Sequence, residues 1–333
     1  MTLKEEEGEV NIFLCYTPLH ILISKRIIEE EVLQNNWLLF YGERTKKNLF
    51  YFYRFKSIFE RMYFIEKINS PRSLYEFFRI LKILNKLKKP VNFFCGNIKK
   101  SFSRLMLYAI SKSNLYTFDD GSGNVSGEGY FYNQNERRIQ RLFFLLFNKE
   151  LLYKNVTQRI KLHYTIYKLP NVYSPTKYIP LFNPEKITLA EGRGKGKISI
   201  LLGNAFYEDG EMSLKEEISL YRKLRKKFSI EYMIPHPREV INKAQRSGLQ
   251  RIDSEYISEE EILRLLQTYN TITVVGIYST VLLNLASLNF KRIEVINVKA
   301  PVKKPVHHME KLFDTIGIPT IHIGEEYERL SSP

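Results

Sequence analysis

Apolar residues fill residues 10–16 (VNIFLCY) except for Asn11, over the length of a strand buried on both faces. The period then changes. Thr17 and Pro18 supply an N-cap and a first-turn proline, and Leu19, Leu22, Ile23, Ile27 and Ile28 follow at helical spacing up to Glu30. Strand, tight turn and helix in that order open an α/β unit. Residues 37–41 (WLLFY) predict a second strand; a helix over 72–89 leads into a strand over 91–95, and a helix over 101–111 into one over 115–118. Such alternation predicts a parallel sheet with helices on both faces.

The alternation breaks at 189–197 (LAEGRGKGK), where three glycines are interleaved with charges. It restarts with strands over 198–202, 230–234, 271–275 and 293–298, and helices over 214–228, 259–269 and 279–288. The expected organisation is an α/β protein of two Rossmann-like domains, 1–189 and 198–333, joined by a linker over 190–197 and facing each other across a cleft.

Charge narrows the class of partner. Lys and Arg total 51 against 36 Asp and Glu, a net +15 over 333 residues, which points to a nucleotide, a polyanion or an acidic membrane surface. The only two cysteines, Cys15 and Cys95, lie in apolar runs, so no disulfide framework is expected and a reducing compartment is the simpler setting. The acidic amino terminus carries no signal-peptide pattern, and no apolar run approaches the roughly 18–20 residues of a spanning helix. A cytoplasmic protein, peripheral on the inner face of the membrane, is expected. Phosphate-loop, dinucleotide, zinc-hydrolase and serine-hydrolase motifs are absent, and His307-His308 reads as a polar loop rather than a metal site. No RNA- or DNA-binding signature accompanies the charge, so a nucleic-acid partner is not expected.

Four signals sit at strand ends, where doubly wound sheets bind their ligands. Pro235-His236-Pro237-Arg238 follows the strand over 230–234, and its prolines hold the His236 backbone extended with the imidazole projecting. That ring can bind a phosphate oxygen or protonate a leaving group, or else the segment is a rigid loop with an incidental His. Tyr278-Ser279-Thr280 opens a helix whose N-terminus suits an anion, although a plain Ser cap reads the same way. Asp119-Asp120-Gly121-Ser122-Gly123 offers a general base or an ordinary acidic turn. Gly203-Asn204, with Tyr207-Glu208-Asp209-Gly210 behind it, reads either as a plain polar loop or as a turn that lets backbone approach a ligand and faces Asp209 to the cleft. Separately, 133–168 is basic and contains the apolar run 142–147. It can lie on an anionic bilayer, or be a buried helix with a solvated basic edge.

Taken in order, these residues resemble the bacterial sialyltransferases of glycosyltransferase family 52, which make lipooligosaccharide and capsule. The resemblance runs from Cys15-Tyr16-Thr17-Pro18-Leu19 through Phe118-Asp119-Asp120-Gly121, Leu202-Gly203, Tyr207-Glu208-Asp209-Gly210 and Ile234-Pro235-His236-Pro237-Arg238-Glu239 to Tyr278-Ser279-Thr280. It implies a GT-B fold and CMP-sialic acid as donor, with no further cofactor. It also implies a galactose-terminated glycan as acceptor, α-2,3 linkage, inversion at the anomeric carbon and no required metal. Gly203, Asn204, His236, Pro237, Tyr278, Ser279 and Thr280 would then hold the nucleotide, with Glu260 on its ribose. Thr17, Pro18, His20, Asp119 and Asp120 would meet the acceptor, and Asp209, or else Asp120, would be the base. A homodimer is compatible with the pattern. The rivals are another nucleotide-sugar transferase, a polysialyl- or glycerophosphate-type polymerase, and a non-catalytic basic protein that binds a polyanion or membrane.

Overall fold

The computed structural model describes residues 8–110, 113–133, 135–182, 195–303 and 307–323. The chain divides into two compact units at Leu181/Phe182. The expected linker over 190–197 lies outside the described residues up to 194. Its last three residues already belong to a strand, so the second unit's sheet begins earlier than the glycines imply.

The first unit runs β1 (Val10–Cys15), α1 (Pro18–Glu31), β2 (Asn36–Gly42), α2 (Lys46–Arg54), β3 (Arg61–Glu66), α3 (Pro71–Asn85), β4 (Val91–Cys95), α4 (Ser101–Ala109), β5 (Ser113–Phe118), α5 (Arg138–Phe147), α6 (Tyr153–Thr157), β6 (Ile160–Thr165) and β7 (Thr176–Tyr178). Its strands are parallel in the order β3-β2-β1-β4-β5-β6-β7. Every residue of β1 and β4 is buried, as continuous apolar runs require of strands covered on both faces. Thr17 caps α1 by accepting the His20 N–H at 3.3 Å, with Pro18 in the first turn. Cys15 and Cys95 are both free thiols, and burial pushes the Cys95 pKa up to about 12.

The second unit runs β8 (Lys195–Leu202), α7 (Leu214–Phe228), β9 (Tyr232–Ile234), α8 (Lys243–Arg246), β10 (Gln250–Arg251), α9 (Ser258–Leu265), β11 (Tyr269–Gly276), α10 (Thr280–Ser287), β12 (Ile293–Lys299), α11 (His307–Thr315) and β13 (Thr320–His322). Its parallel order is β10-β9-β8-β11-β12-β13. His307 and His308 open α11 instead of forming the expected loop. Each sheet reverses its winding once, between β1 and β4 in the first and between β8 and β11 in the second. The loops leaving those strands diverge there and leave room for a ligand.

Two further expectations fail, one on burial and one on length. Helix α5 is not a buried helix with a basic edge, because Phe144 is its only buried residue. The expected helix over 259–269 stops at Leu265, and the next strand starts at Tyr269. No helix among the described residues is long and apolar enough to cross a membrane.

Candidate functional residues at each unit's switch point

In the second unit, the β8 and β9 strand ends are packed so closely that any side chain at 203 would have to push its neighbours aside. A Cβ there would lie 3.1 Å from the His236 backbone nitrogen and 3.2 Å from the Ile234 carbonyl oxygen, and 2.5 Å from the Met233 methyl. The close approach expected of Gly203 is therefore made to the His236 turn itself. The turn is then locked by the Glu239 N–H donating to the His236 carbonyl at 2.9 Å. The Arg238 N–H donates to His236 Nδ1 at 3.1 Å. With Nδ1 accepting, the proton of the neutral ring sits on Nε2. Burial first, and the Arg238 guanidinium second, lower the His236 pKa to about 4. The ring is thus neutral at pH 7 and offers an Nε2–H donor.

Asp209 grips Arg238 through both carboxylate oxygens, the Oδ2 contact at 2.7 Å, and is one of the charges felt at His236. Beneath the loop lies a buried network that the sequence does not announce. Lys243, with no exposed surface, donates to the Asn204 carbonyl at 2.6 Å and to Glu208 and Glu217 at 2.8 Å each. Glu217 also accepts from the Tyr221 hydroxyl at 2.6 Å and the Tyr207 N–H at 2.9 Å. Glu208 reaches the Val240 N–H, so one ammonium ties the Asp209 loop to the His236 loop. Buried charges persist only when paired this completely. Asn204 Nδ2 donates to the Ile277 carbonyl at 3.0 Å, whereas its buried Oδ1 has no protein partner.

Across the switch point, Ser279 caps α10 by accepting the Val281 N–H at 3.3 Å. Tyr278, just before it, holds φ at 50°, a left-handed conformation that costs a non-glycine residue. The Asn297 side chain fixes its N–H at 2.9 Å, and Glu310 accepts its hydroxyl at 2.9 Å. Tyr278 therefore aims the start of α10, whose dipole favours an anion. On α9, Glu259 is buried and bonded to Asn284, and Glu261 accepts from Ser254, while Glu260 is half-buried.

In the first unit, Asp120 leaves β5 with its Oδ1 2.8 Å from His20 Nε2 and its Oδ2 2.6 Å from Asn97 Nδ2. The Tyr16 N–H donates to His20 Nδ1 at 3.2 Å, which places the ring proton on Nε2, facing Asp120. Burial works to raise the Asp120 pKa, but His20, the Lys100 ammonium and Asn97 outweigh it, so the carboxyl titrates below the ordinary aspartate range. Its side chain stays about one-quarter exposed, at 26%. Asn97 Oδ1 and Asn124 Nδ2 beside it are buried without a protein partner.

Two acceptor-contact expectations are corrected here. His20 has no exposed surface and acts on Asp120 from below. Its ring fills the space left by Gly96, where a Cβ would lie 2.6 Å from Nδ1. Asp119 is also fully buried. It accepts from His163, Thr165, the Ile166 N–H and Asn171, and so pins β5 to the β6 end instead of facing solvent. Gly96, Asn97 and Lys243 were not among the expected site residues.

Two parallel sheets in the 3-2-1-4-5-6 order, the first extended by a seventh strand, with polar residues gathered at each switch point, define a GT-B-type fold. The profile of Glycosyltransferase family 52 matches residues 34–300, and the chain belongs to that family. It is 29% identical over 331 residues to "CMP-N-acetylneuraminate:beta-galactoside alpha-2,3-sialyltransferase" of Pasteurella multocida, covering 95% of this chain and 100% of that one. It is 29% identical over 347 residues to "N-acetyllactosaminide alpha-2,3-sialyltransferase" of Neisseria meningitidis, covering 97% of this chain and 89% of that one. Among solved structures, a putative UDP-N-acetylglucosamine 2-epimerase from Listeria monocytogenes aligns with a TM-score of 0.57 at 10% identity, covering 97% of this chain and 85% of that one. The corresponding enzyme from Rickettsia bellii aligns with a TM-score of 0.54 at 14% identity, covering 97% and 86%. At such identities the structural likeness speaks for the fold.

Proposed function

We propose that this glycosyltransferase moves sialic acid from CMP-sialic acid to a terminal galactoside of a bacterial surface glycan, inverting the anomeric centre and forming an α-2,3 linkage. The end-to-end alignment with the Pasteurella protein of that name carries the reading. The chemistry of the second switch point supports it. The leaving group is a phosphate monoester, and here His236 Nε2–H donates to its oxygen while the Ser279/Thr280 helix start balances its charge. Gly203, Asn204, Pro237 and Tyr278 frame the nucleotide, with Glu260 on the ribose. Hydrogen-bond donors and the helix dipole thus stabilise the phosphate without a metal cation. Asp209, electrostatically coupled to His236 in the same unit, takes the acceptor's proton once it leaves Arg238. Asp120, with Thr17 and Pro18, orients the galactoside.

CMP should raise the melting temperature and UDP should not. At about 100 times its dissociation constant, a ligand that binds only the folded state stabilises it by roughly 2.7 kcal/mol. Stabilisation by UDP alone would remove the sialyl reading and leave a transferase of another nucleotide sugar.

A further inference from the structure

The loops that carry Asp209 and His236 are tied at the surface and again below it. The surface tie is the Arg238–Asp209 ion pair, whose side chains are 61% and 33% exposed. Exposed pairs of this kind hold weakly. This one must also open, since Asp209 takes the acceptor's proton only once it leaves Arg238. The lower tie is Glu208, which accepts from the Val240 N–H at 3.2 Å and from the Lys243 ammonium at 2.8 Å. Its side chain is only 9% exposed, so little water competes for those contacts. Burial works to raise the Glu208 pKa, but Lys243 and the Val240 N–H outweigh it and hold the carboxyl below the ordinary glutamate range.

Lys243 has no donor to spare for a ligand. An ammonium carries three protons, and the Asn204 carbonyl, Glu208 and Glu217 take one each. What those partners hold decides its role. Glu217 and Tyr221 belong to α7, and Glu217 also accepts the Tyr207 N–H. The Tyr221 hydroxyl accepts the Asn204 N–H at 2.8 Å. Asn204 Nδ2 in turn donates to the Ile277 carbonyl, just ahead of the start of α10. The ammonium thus fastens the loops after β8, β9 and β11 to one helix.

We propose that Lys243 is a positioning residue for the reaction, keeping the Asp209 and His236 loops at a fixed spacing when Asp209 lets go of Arg238. It touches no substrate and acts through Glu208 and Asn204. The inference rests on the catalytic assignments proposed above. A lysine that only neutralised α7 would need Glu217 alone, whereas here the second carboxylate comes from the residue next to the base.

The test compares Glu208→Gln with Lys243→Met, in steady-state transfer and in backbone hydrogen exchange, the latter read without substrate. Glu208→Gln leaves Lys243 paired with Glu217 and should fold as the wild type does. Lys243→Met strands two carboxylates and should melt lower; if it does not fold, Glu208→Gln decides alone. Glu208→Gln should lower kcat about tenfold and Lys243→Met about a hundredfold, the scale of loss that a misplacement of about 1 Å brings. The KM for the galactoside should not move, because the first unit orients that sugar. In both variants the amides of 204–210 and 236–242 should exchange faster together, while those of α7 and β11 stay protected. Wild-type kcat per folded molecule in Glu208→Gln would overturn the proposal, as would loop exchange at the wild-type rate. Faster loop exchange in a chain whose wild type transfers no sialic acid would instead remove the sialyl reading and leave the coupling of the loops standing.

Discussion

Replacing His236 with alanine is expected to lower kcat by about 10²–10⁴-fold, the range for losing a proton or hydrogen-bond donor at the leaving group. The fold should survive, because the imidazole lies at a loop and the turn beneath it is held by backbone contacts and by Gly203. CMP affinity should fall much less than the rate, since the start of α10 still meets the phosphate. The pH dependence has a definite sign. The folded-state pKa of about 4 is below the ordinary 6.5, so His236 contributes stability that is present above pH 6.5 and lost as pH falls toward 4. His236→Ala should flatten that part of the melting-temperature profile. An anionic phosphate bound at Nε2 raises the same pKa, so CMP should bind more tightly as pH falls. A variant with wild-type kcat would remove His236 from the chemistry.

Asp209→Asn should cost a similar factor in transfer, about 10²–10⁴, and leave CMP binding in place. Asparagine keeps the shape and one acceptor for Arg238 but cannot take a proton. Asp120→Asn is expected to act differently. Its amide would face the Asn97 amide, setting donor against donor in a partly buried site, and the cost should appear as about 1–3 kcal/mol of stability. Most of the rate should remain. The acidic limb of the pH–rate profile should disappear with Asp209→Asn. Were Asp120 the base, that limb would vanish with Asp120→Asn instead, and in the wild type it would lie below the ordinary aspartate range. Steady-state kinetics on the two variants separates the cases.

The residues that were legible in the sequence are those whose chemistry is local. Thr17-Pro18, Pro235-His236-Pro237 and Ser279 punctuate an apolar run and a helical repeat, so their places at strand ends follow from the pattern. Strands β1, β2 and β4 read clearly because sheet neighbours and helices bury them almost completely, and β5 reads over its buried second half. The edge strands and β6 did not. β3 (RMYFIE) and β6 (IKLHYT) mix charge with apolar residues because fewer partners cover them, while β7, β10 and β13 span two or three residues, too few to show a period. The supporting side chains were hidden for another reason. Lys243 lies in a polar stretch that reads as solvated, and only the folded chain brings Glu208 and Glu217 to its ammonium. Asp119 and Asp120 are adjacent in sequence and opposite in role, because the strand end sends one carboxylate into the sheet and the other toward solvent. The exposed apolar residues of α5 could not be told from a core stripe, since spacing records a face but not what covers it.

The most direct test of the central claim is to incubate the chain with a galactose-terminated acceptor and, in separate reactions, CMP-sialic acid, UDP-glucose or CDP-glycerol, all in EDTA, and to measure the nucleotide released and the product formed. The account predicts CMP release from CMP-sialic acid in step with an α-2,3-sialylated galactoside, and no turnover of the other two donors. Release of UDP or a CDP-derived nucleotide, with CMP-sialic acid left intact even after magnesium is restored, would contradict it.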